Sequence, residues 1–373
     1  MKKPNNIQPK YDNELALHFQ NARRVRSPRT DDFPESSCGT GSRRNLVHLT
    51  ATCPATRFGK VVSTICLFYI LLFTSCEEQI TPEEERARQE YSELMNKFRF
   101  PYILDKPTQV YKMPEVLREI SGLGITKTGE LGCIQDEQGV IFIYDTDQCE
   151  INRRIGYGKN ADYEGVAFAG DDAFVLRTNG NIYRVLAFDG GQPVRQKHKS
   201  LLNRKNNTKG IAYEPNKNRI LAICKDGYAR GDGNFIEQLA IFPYDIDSNS
   251  VADSVAYSLN IDQVKRYAEL ANPETYREVF PMFYRSNLTT FPIYPSALAV
   301  HPKTGDIYIT SGAGGLLFVL NNDGLLVHIE RLREDAYLQI EGLTFRPDGT
   351  MLMASEGKDK PGELYEFESM IND

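Results

Sequence analysis

The sequence predicts an all-β chain folded as a five-bladed β-propeller, and three observations carry that reading. A short apolar strand opening on a small residue, followed by a polar turn and a second apolar strand, recurs five times: SGLGI at 121–125, EGVAF at 164–168, KGIAY at 209–213, SALAV at 296–300 and EGLTF at 341–345. From Gly122 through Gly165, Gly210 and Ala297 to Gly342 the steps are 43, 45, 87 and 45 residues, the period of a propeller blade. The last repeat holds only three strands, GLTF, MLMAS and GELYEFE, so a strand around residues 108–113 is expected to pair with it and close the ring.

Composition agrees. Hydrophobic residues make up 41%, enough for a large core, and 20 Tyr with 19 Phe suit a strand-rich fold. The net charge of -6 hides an asymmetry: residues 1–75 carry 11 Lys and Arg against 5 Asp and Glu, leaving 33 against 45, or -12, for the rest. Such an acidic domain disfavours nucleic acid and favours cations.

Residues 1–56 are polar, rich in Arg and Ser and without sustained periodicity, and are expected to be disordered or to arise from a start codon assigned too early. Residues 57–76 read as a signal peptide: Arg57 and Lys60 precede the apolar run VVSTICLFYILLF, which is short for a bilayer span and ends in LFTSC. That ending resembles a bacterial lipobox, with Cys76 as the lipidated residue and Phe73 in place of the usual aliphatic. The alternative is an uncleaved signal anchor. Glu77 and Glu78 then resemble the acidic export signals of some surface lipoproteins, or form a plain solvated linker. Residues 77–98 are expected to form a charged helical stalk. Thr81, Pro82 and Glu84 have the form of a capping box, and Glu84 with Arg88 and Glu93 with Lys97 are spaced for helical ion pairs.

The propeller is assigned to residues 99–373. The step of 87 residues leaves open a hidden sixth blade, but residues 210–260 already supply four strands. Beyond them, Ile261, Val264, Ala268 and Ala271 share a helical face behind an Asn260 and Gln263 capping box. The excess is therefore read as a helical insertion over 261–295, with a second short helix after Asn272, and the blade count as five. Cys133 and Cys224 read as small core residues, and Cys149 is placed where it could reach Cys133 across the sheet.

With four antiparallel strands per blade, the residue before each anchor and the end of each second strand share one face. The first set is Ser121, Glu164, Lys209, Ser296 and Glu341; the second is Asp136, Arg177, Lys225, Ser311 and Glu356. Oxygen ligands converging on one axis suit Ca²⁺, and Ser121, Glu164, Ser296, Glu341, Asp136 and Glu356 are its candidate ligands. The alternative is an ion pair in which Lys209 neutralises Glu164 or Glu341 without metal, with Arg177 and Lys225 as further partners. No nucleophile and paired base is evident, so no catalytic residue is assigned.

The phrases EISGLG, DYEGVAF, KGIAYEPNKNRILAICKD, PSALAVHPKTGDIYITS and IEGLTFRPDGTMLMASEG together resemble the SdiA-regulated (YjiK-like) family, itself similar to NHL-repeat propellers, over about residues 113–368. The resemblance implies an envelope-associated five-bladed propeller with a calcium site and no established activity. Glu164 and Glu341 match the family's Glu-Gly pattern, and Lys209 departs from it. The expected function is a monomeric lipoprotein of the bacterial cell envelope that binds a ligand or protein partner. The alternatives are a calcium-dependent hydrolase of the propeller phytase or lactonase type and a purely structural scaffold.

Overall fold

A computed structural model describes residues 80–191, 193–198, 202, 206–224, 228–229, 235–236, 238–251, 254–271, 293–312, 315–333, 336–337 and 339–371. The extension, the signal segment with Cys76, Lys225 and the second insertion helix lie outside the described residues. The chain falls into two compact units, Met1–Ala87 and Arg88–Asp373. No helix among the described residues is long and apolar enough to cross a membrane.

Five sheets follow in chain order. Blade 1 is Ile120–Ile125, Leu131–Gln135, Val140–Asp145 and Glu150–Gly156; blade 2 is Tyr163–Ala169, Asp172–Arg177, Ile182–Leu186 and Val194–His198. Blade 3 is Thr208–Glu214, Arg219–Cys224 and Gln238–Asp245, whose outer edge is shared by Ser250–Val251 and Tyr257–Asn260. Blade 4 is Pro295–Val300, Ile307–Ser311, Leu316–Leu320 and Leu326–Arg331. Blade 5 is Ile340–Phe345, Met351–Ser355 and Glu363–Phe367, completed by Gln109–Lys112 from the start of the domain. The innermost strands adjoin in the cyclic order 1, 2, 3, 4, 5 and back to 1. Five blades, rather than six, close the circle.

Closure uses the expected strand. Gln109 pairs with Glu366, Val110 with Tyr365, Tyr111 with Leu364 and Lys112 with Glu363. This satisfies backbone groups that an open blade would leave unpaired. The core lies between blades, because side chains alternate across each strand and both faces of a blade meet a neighbour. Apolar clusters fill each seam, with Phe142, Phe174, Phe242 and Phe318 fully enclosed, each contributing about 1.5–3 kcal/mol.

The insertion and the stalk are partly as expected. Helix α1 (Pro82–Lys97) starts at the Thr81 capping box, where the Glu84 amide donates to Thr81 Oγ1 at 3.2 Å and the Thr81 amide to Glu84 Oε2 at 2.8 Å. Its second half is no free stalk: the Tyr91 hydroxyl donates to the Leu326 carbonyl at 2.5 Å, Arg88 approaches Glu269 at 3.7 Å, and Leu94 and Met95 pack on the apolar seams of blade 4. Helix α2 (Ile261–Leu270) carries the Asn260 and Gln263 capping box and buries Val264, Tyr267 and Ala268. A hairpin of Tyr228–Ala229 with Phe235–Ile236 leaves the second-to-third strand loop of blade 3. Cys133 is buried, Cys149 is exposed, and they form no disulfide.

Candidate functional site at the axial mouth

One irregularity is repeated in every blade. The pairing of the first two strands skips a residue between Ile120 and Gly122, Tyr163 and Gly165, Thr208 and Gly210, Pro295 and Ala297, and Ile340 and Gly342. The skipped residues are Ser121, Glu164, Lys209, Ser296 and Glu341. A bulge leaves one residue outside the ladder and re-aims its side chain; Ser121, Glu164, Lys209 and Glu341 line one axial cleft, to which blade 4 contributes Ala297 and Leu298 rather than the predicted Ser296. The small residue that follows each bulge lets neighbouring strands approach. A Cβ on Gly122 would fall 2.7 Å from the Gly165 Cα, and one on Gly210 would fall 2.8 Å from the Leu298 amide nitrogen.

The cleft offers about 10 Å³ to the centre of a water molecule, room for one water or one small ion. Its charge is arranged around one ion pair: Lys209 Nζ donates to Glu164 Oε2 at 2.7 Å, while Glu164 Oε1 accepts from Thr178 Oγ1 at 2.7 Å. Burial opposes the Lys209 charge, but Glu164, Glu341 and Asp136 outweigh it and hold its pKa above the ordinary lysine range. Ser296 Oγ and Thr310 Oγ1 satisfy each other at 3.0 Å. Ser121 is buried and its Oγ has no hydrogen-bond partner among the described residues.

Asp136 follows the second strand of blade 1 and is tied by its amide to the Glu119 carbonyl at 3.4 Å. Its Oδ1 is buried without a partner. Desolvation, reinforced by Glu119, Glu137, Glu356 and Glu164, pushes its pKa up to about 6. Glu356 occupies the same place in blade 5, its amide bonded to the Gln339 carbonyl at 2.8 Å.

The structure corrects two sequence assignments. Arg177 pairs in register with Tyr163, one residue before the place of Asp136, and its guanidinium lies over the Tyr163 ring at 5.9 Å rather than on a carboxylate. The residue equivalent to Asp136 in blade 2 is Thr178, the Glu164 partner that strand counting missed; aligning DEQG with TNGN after each second strand would have found it. In blade 4 the equivalent is Gly312, whose amide bonds the Tyr294 carbonyl at 3.1 Å, so Ser311 belongs to the strand itself.

The fit to calcium is partial. The orphaned Ser121 and Asp136 oxygens suit a hard cation, but among the described residues no three His, Cys, Asp or Glu side chains gather closely enough to hold a metal ion. The cation that the described residues place at the cleft is the Lys209 ammonium.

No family model matches the chain, and no curated protein matches it in sequence. Solved structures similar to it include the glutaminyl cyclase of Myxococcus xanthus, at 13% identity and TM-score 0.48, covering 72% of this chain and 97% of that one. A second is the virginiamycin B lyase of Staphylococcus aureus, at 14% identity and TM-score 0.37, covering 68% and 69%. A third, described as a streptogramin B lyase structure, has 12% identity and TM-score 0.38, covering 69% and 97%. The class that this fold defines is a five-bladed β-propeller with a polar, ion-paired axial mouth.

Proposed function

We propose that this protein is a binding module of the bacterial cell envelope, a member of the SdiA-regulated family held to a membrane by a lipid on Cys76, whose axial mouth receives a positively charged ligand or partner group. The observation that supports this most is Asp136, a carboxylate crowded by four others and left with a buried, unpartnered oxygen. A cation there relieves like-charge repulsion and supplies the missing contact. Lys209 does the same for Glu164.

A bound calcium ion is the second reading, favoured by the unpartnered Ser121 Oγ beside the same strand end. The competing class, a calcium-dependent hydrolase, requires that ion. The test is metal analysis of the full chain in mild detergent, with melting measured against added CaCl2. Stoichiometric calcium, lost on Glu164→Ala with Glu341→Ala, supports the metal; calcium-dependent release of phosphate from phytate would place the hydrolase first. A metal-free protein whose melting responds neither to CaCl2 nor to polyamines sinks the cation reading altogether.

A further inference from the structure

On the face opposite the mouth, every seam is bridged by a guanidinium or an aromatic ring. Arg153 reaches Asp189 between blades 1 and 2, and Arg184 donates to the Ile246 carbonyl at 3.0 Å and to Asn249 Oδ1 at 2.6 Å between blades 2 and 3. Arg346 donates to Thr146 Oγ1 at 3.1 Å between blades 5 and 1, and His301 packs on Phe345 with centroids 5.0 Å apart between blades 4 and 5. Between blades 3 and 4 the Tyr257 hydroxyl reaches the Asn322 carbonyl at 3.2 Å, and Lys217 donates to the same carbonyl at 3.3 Å. There a cavity of about 230 Å³ remains, lined by Glu214, Asn216, Lys217, Gly305, Asn322 and Asp323.

The floor of this cavity is fully engaged. Glu214, 2% exposed, accepts from the Tyr257 hydroxyl at 2.5 Å, from Lys217 at 3.2 Å and from Arg219. Lys217 directs its three donors at Tyr257, Glu214 and the Asn322 carbonyl. The rim is different. The side chains of Asn216, Asn322 and Asp323 are exposed and make no hydrogen bond or ion pair among the described residues. Gly305, at φ +75°, keeps the space open: a Cβ there would come within 3.2 Å of Asn216 Nδ2 and 3.4 Å of the Asn322 Cβ.

Chemistry then selects the occupant. Lys217 is the one cation in the lining, and Arg219, outside it, pairs with the buried Glu214, so that with Asp323 the four groups cancel and favour neither a phosphate nor an ammonium. Two amides offer donors and acceptors side by side, and a carboxylate accepts from two hydroxyls at once. The volume falls below the roughly 300–1,000 Å³ of pockets for drug-sized ligands, leaving room for about one ring.

We propose that the cavity between blades 3 and 4 binds a single neutral, polyhydroxylated ring, such as the terminal sugar of a glycan. The test is saturation-transfer NMR of the full chain in mild detergent with the methyl pyranosides of glucose, galactose, mannose and N-acetylglucosamine. Transfer to at least one pyranoside is expected, weakened about tenfold or more by Asp323→Ala and by Asn216→Ala, as loss of a hydrogen bond to a charged or buried partner implies. Both residues are exposed, so unchanged melting will show that the variants fold. Asn322→Trp, which fills the space from the rim, should abolish transfer. Absence of transfer from all four pyranosides, or transfer that survives all three substitutions, overturns the site.

Discussion

Glu214 lies on one face of the ring, almost wholly enclosed and bonded to a tyrosine, a lysine and an arginine; Asp136 lies on the other, less enclosed, with a buried oxygen that accepts no hydrogen bond. The comparison separates charge that holds the ring together from charge held in reserve. On the first face Glu214 and the cross-seam clamps Arg153, Arg184 and Arg346 all find partners within the chain, and only the rim of the cavity, with Asp323, is left unpaired among the described residues. At the mouth the described residues supply one ammonium, Lys209, for several carboxylates, and the proposed binding role rests on that imbalance.

The largest effect that would break this contrast is expected from Glu214→Ala. It strands Arg219, Lys217 and the Tyr257 hydroxyl together and should cost about 3–5 kcal/mol, read by urea unfolding. If it costs no more than an exposed substitution, the clamp face is not the stabilising one.

Next comes His301, whose pKa burial, helped by Lys303, pushes down to about 4. Its Nδ1 accepts from the Thr304 amide at 3.2 Å and must stay unprotonated to do so. Stability should therefore be complete above the ordinary histidine value and should fall as pH drops from about 6.5 to 4, by about 3 kcal/mol at the limit. His301→Asn, which retains an acceptor, should flatten that part of the melting profile.

Lys209→Ala tests the mouth. It leaves Glu164 without its cation, and because the pair is partly solvated the loss should be about 1–3 kcal/mol. The sharper prediction is rescue: an added cation should restore melting in this variant and leave Glu214→Ala unchanged.

The smallest effect belongs to Asp136, which is only half-buried, so that solvent screening reduces what its shift is worth. With its folded pKa raised to about 6, the carboxyl favours the folded state when protonated, so stability is lost as pH rises from about 4 to 6. Asp136→Asn should remove that loss and raise melting at neutral pH, while changing nothing at pH 4. The two faces thus respond to acid with opposite signs, and a melting profile without both limbs would contradict the comparison.

The ring was legible in the sequence because blades repeat, and repetition exposes both the period and the missing strand that 108–113 supplies. The five bulged positions were legible for the same reason. Their cause was not: a bulge is a pairing between two strands, and nothing in EGVAF alone says that Glu164 leaves the ladder. Lys209 read correctly as a possible partner of Glu164, since opposite charges at equivalent blade positions must meet near a common axis. Thr178 and the Glu214 cluster escaped, because a threonine after a strand and an acid before a turn are common where no ligand is involved. The packing of Tyr91 on Leu326 was hidden as well, since a charged helix shows little of the few apolar residues by which it docks.

Gln109 and Glu366 meet as neighbours although 257 positions separate them along the chain. A contact of that span must close a long loop before it can form. Until it does, blade 5 presents a bare strand edge that another copy could occupy, so the time spent waiting for the latch is the time in which the molecule is most exposed to tangling with its own kind.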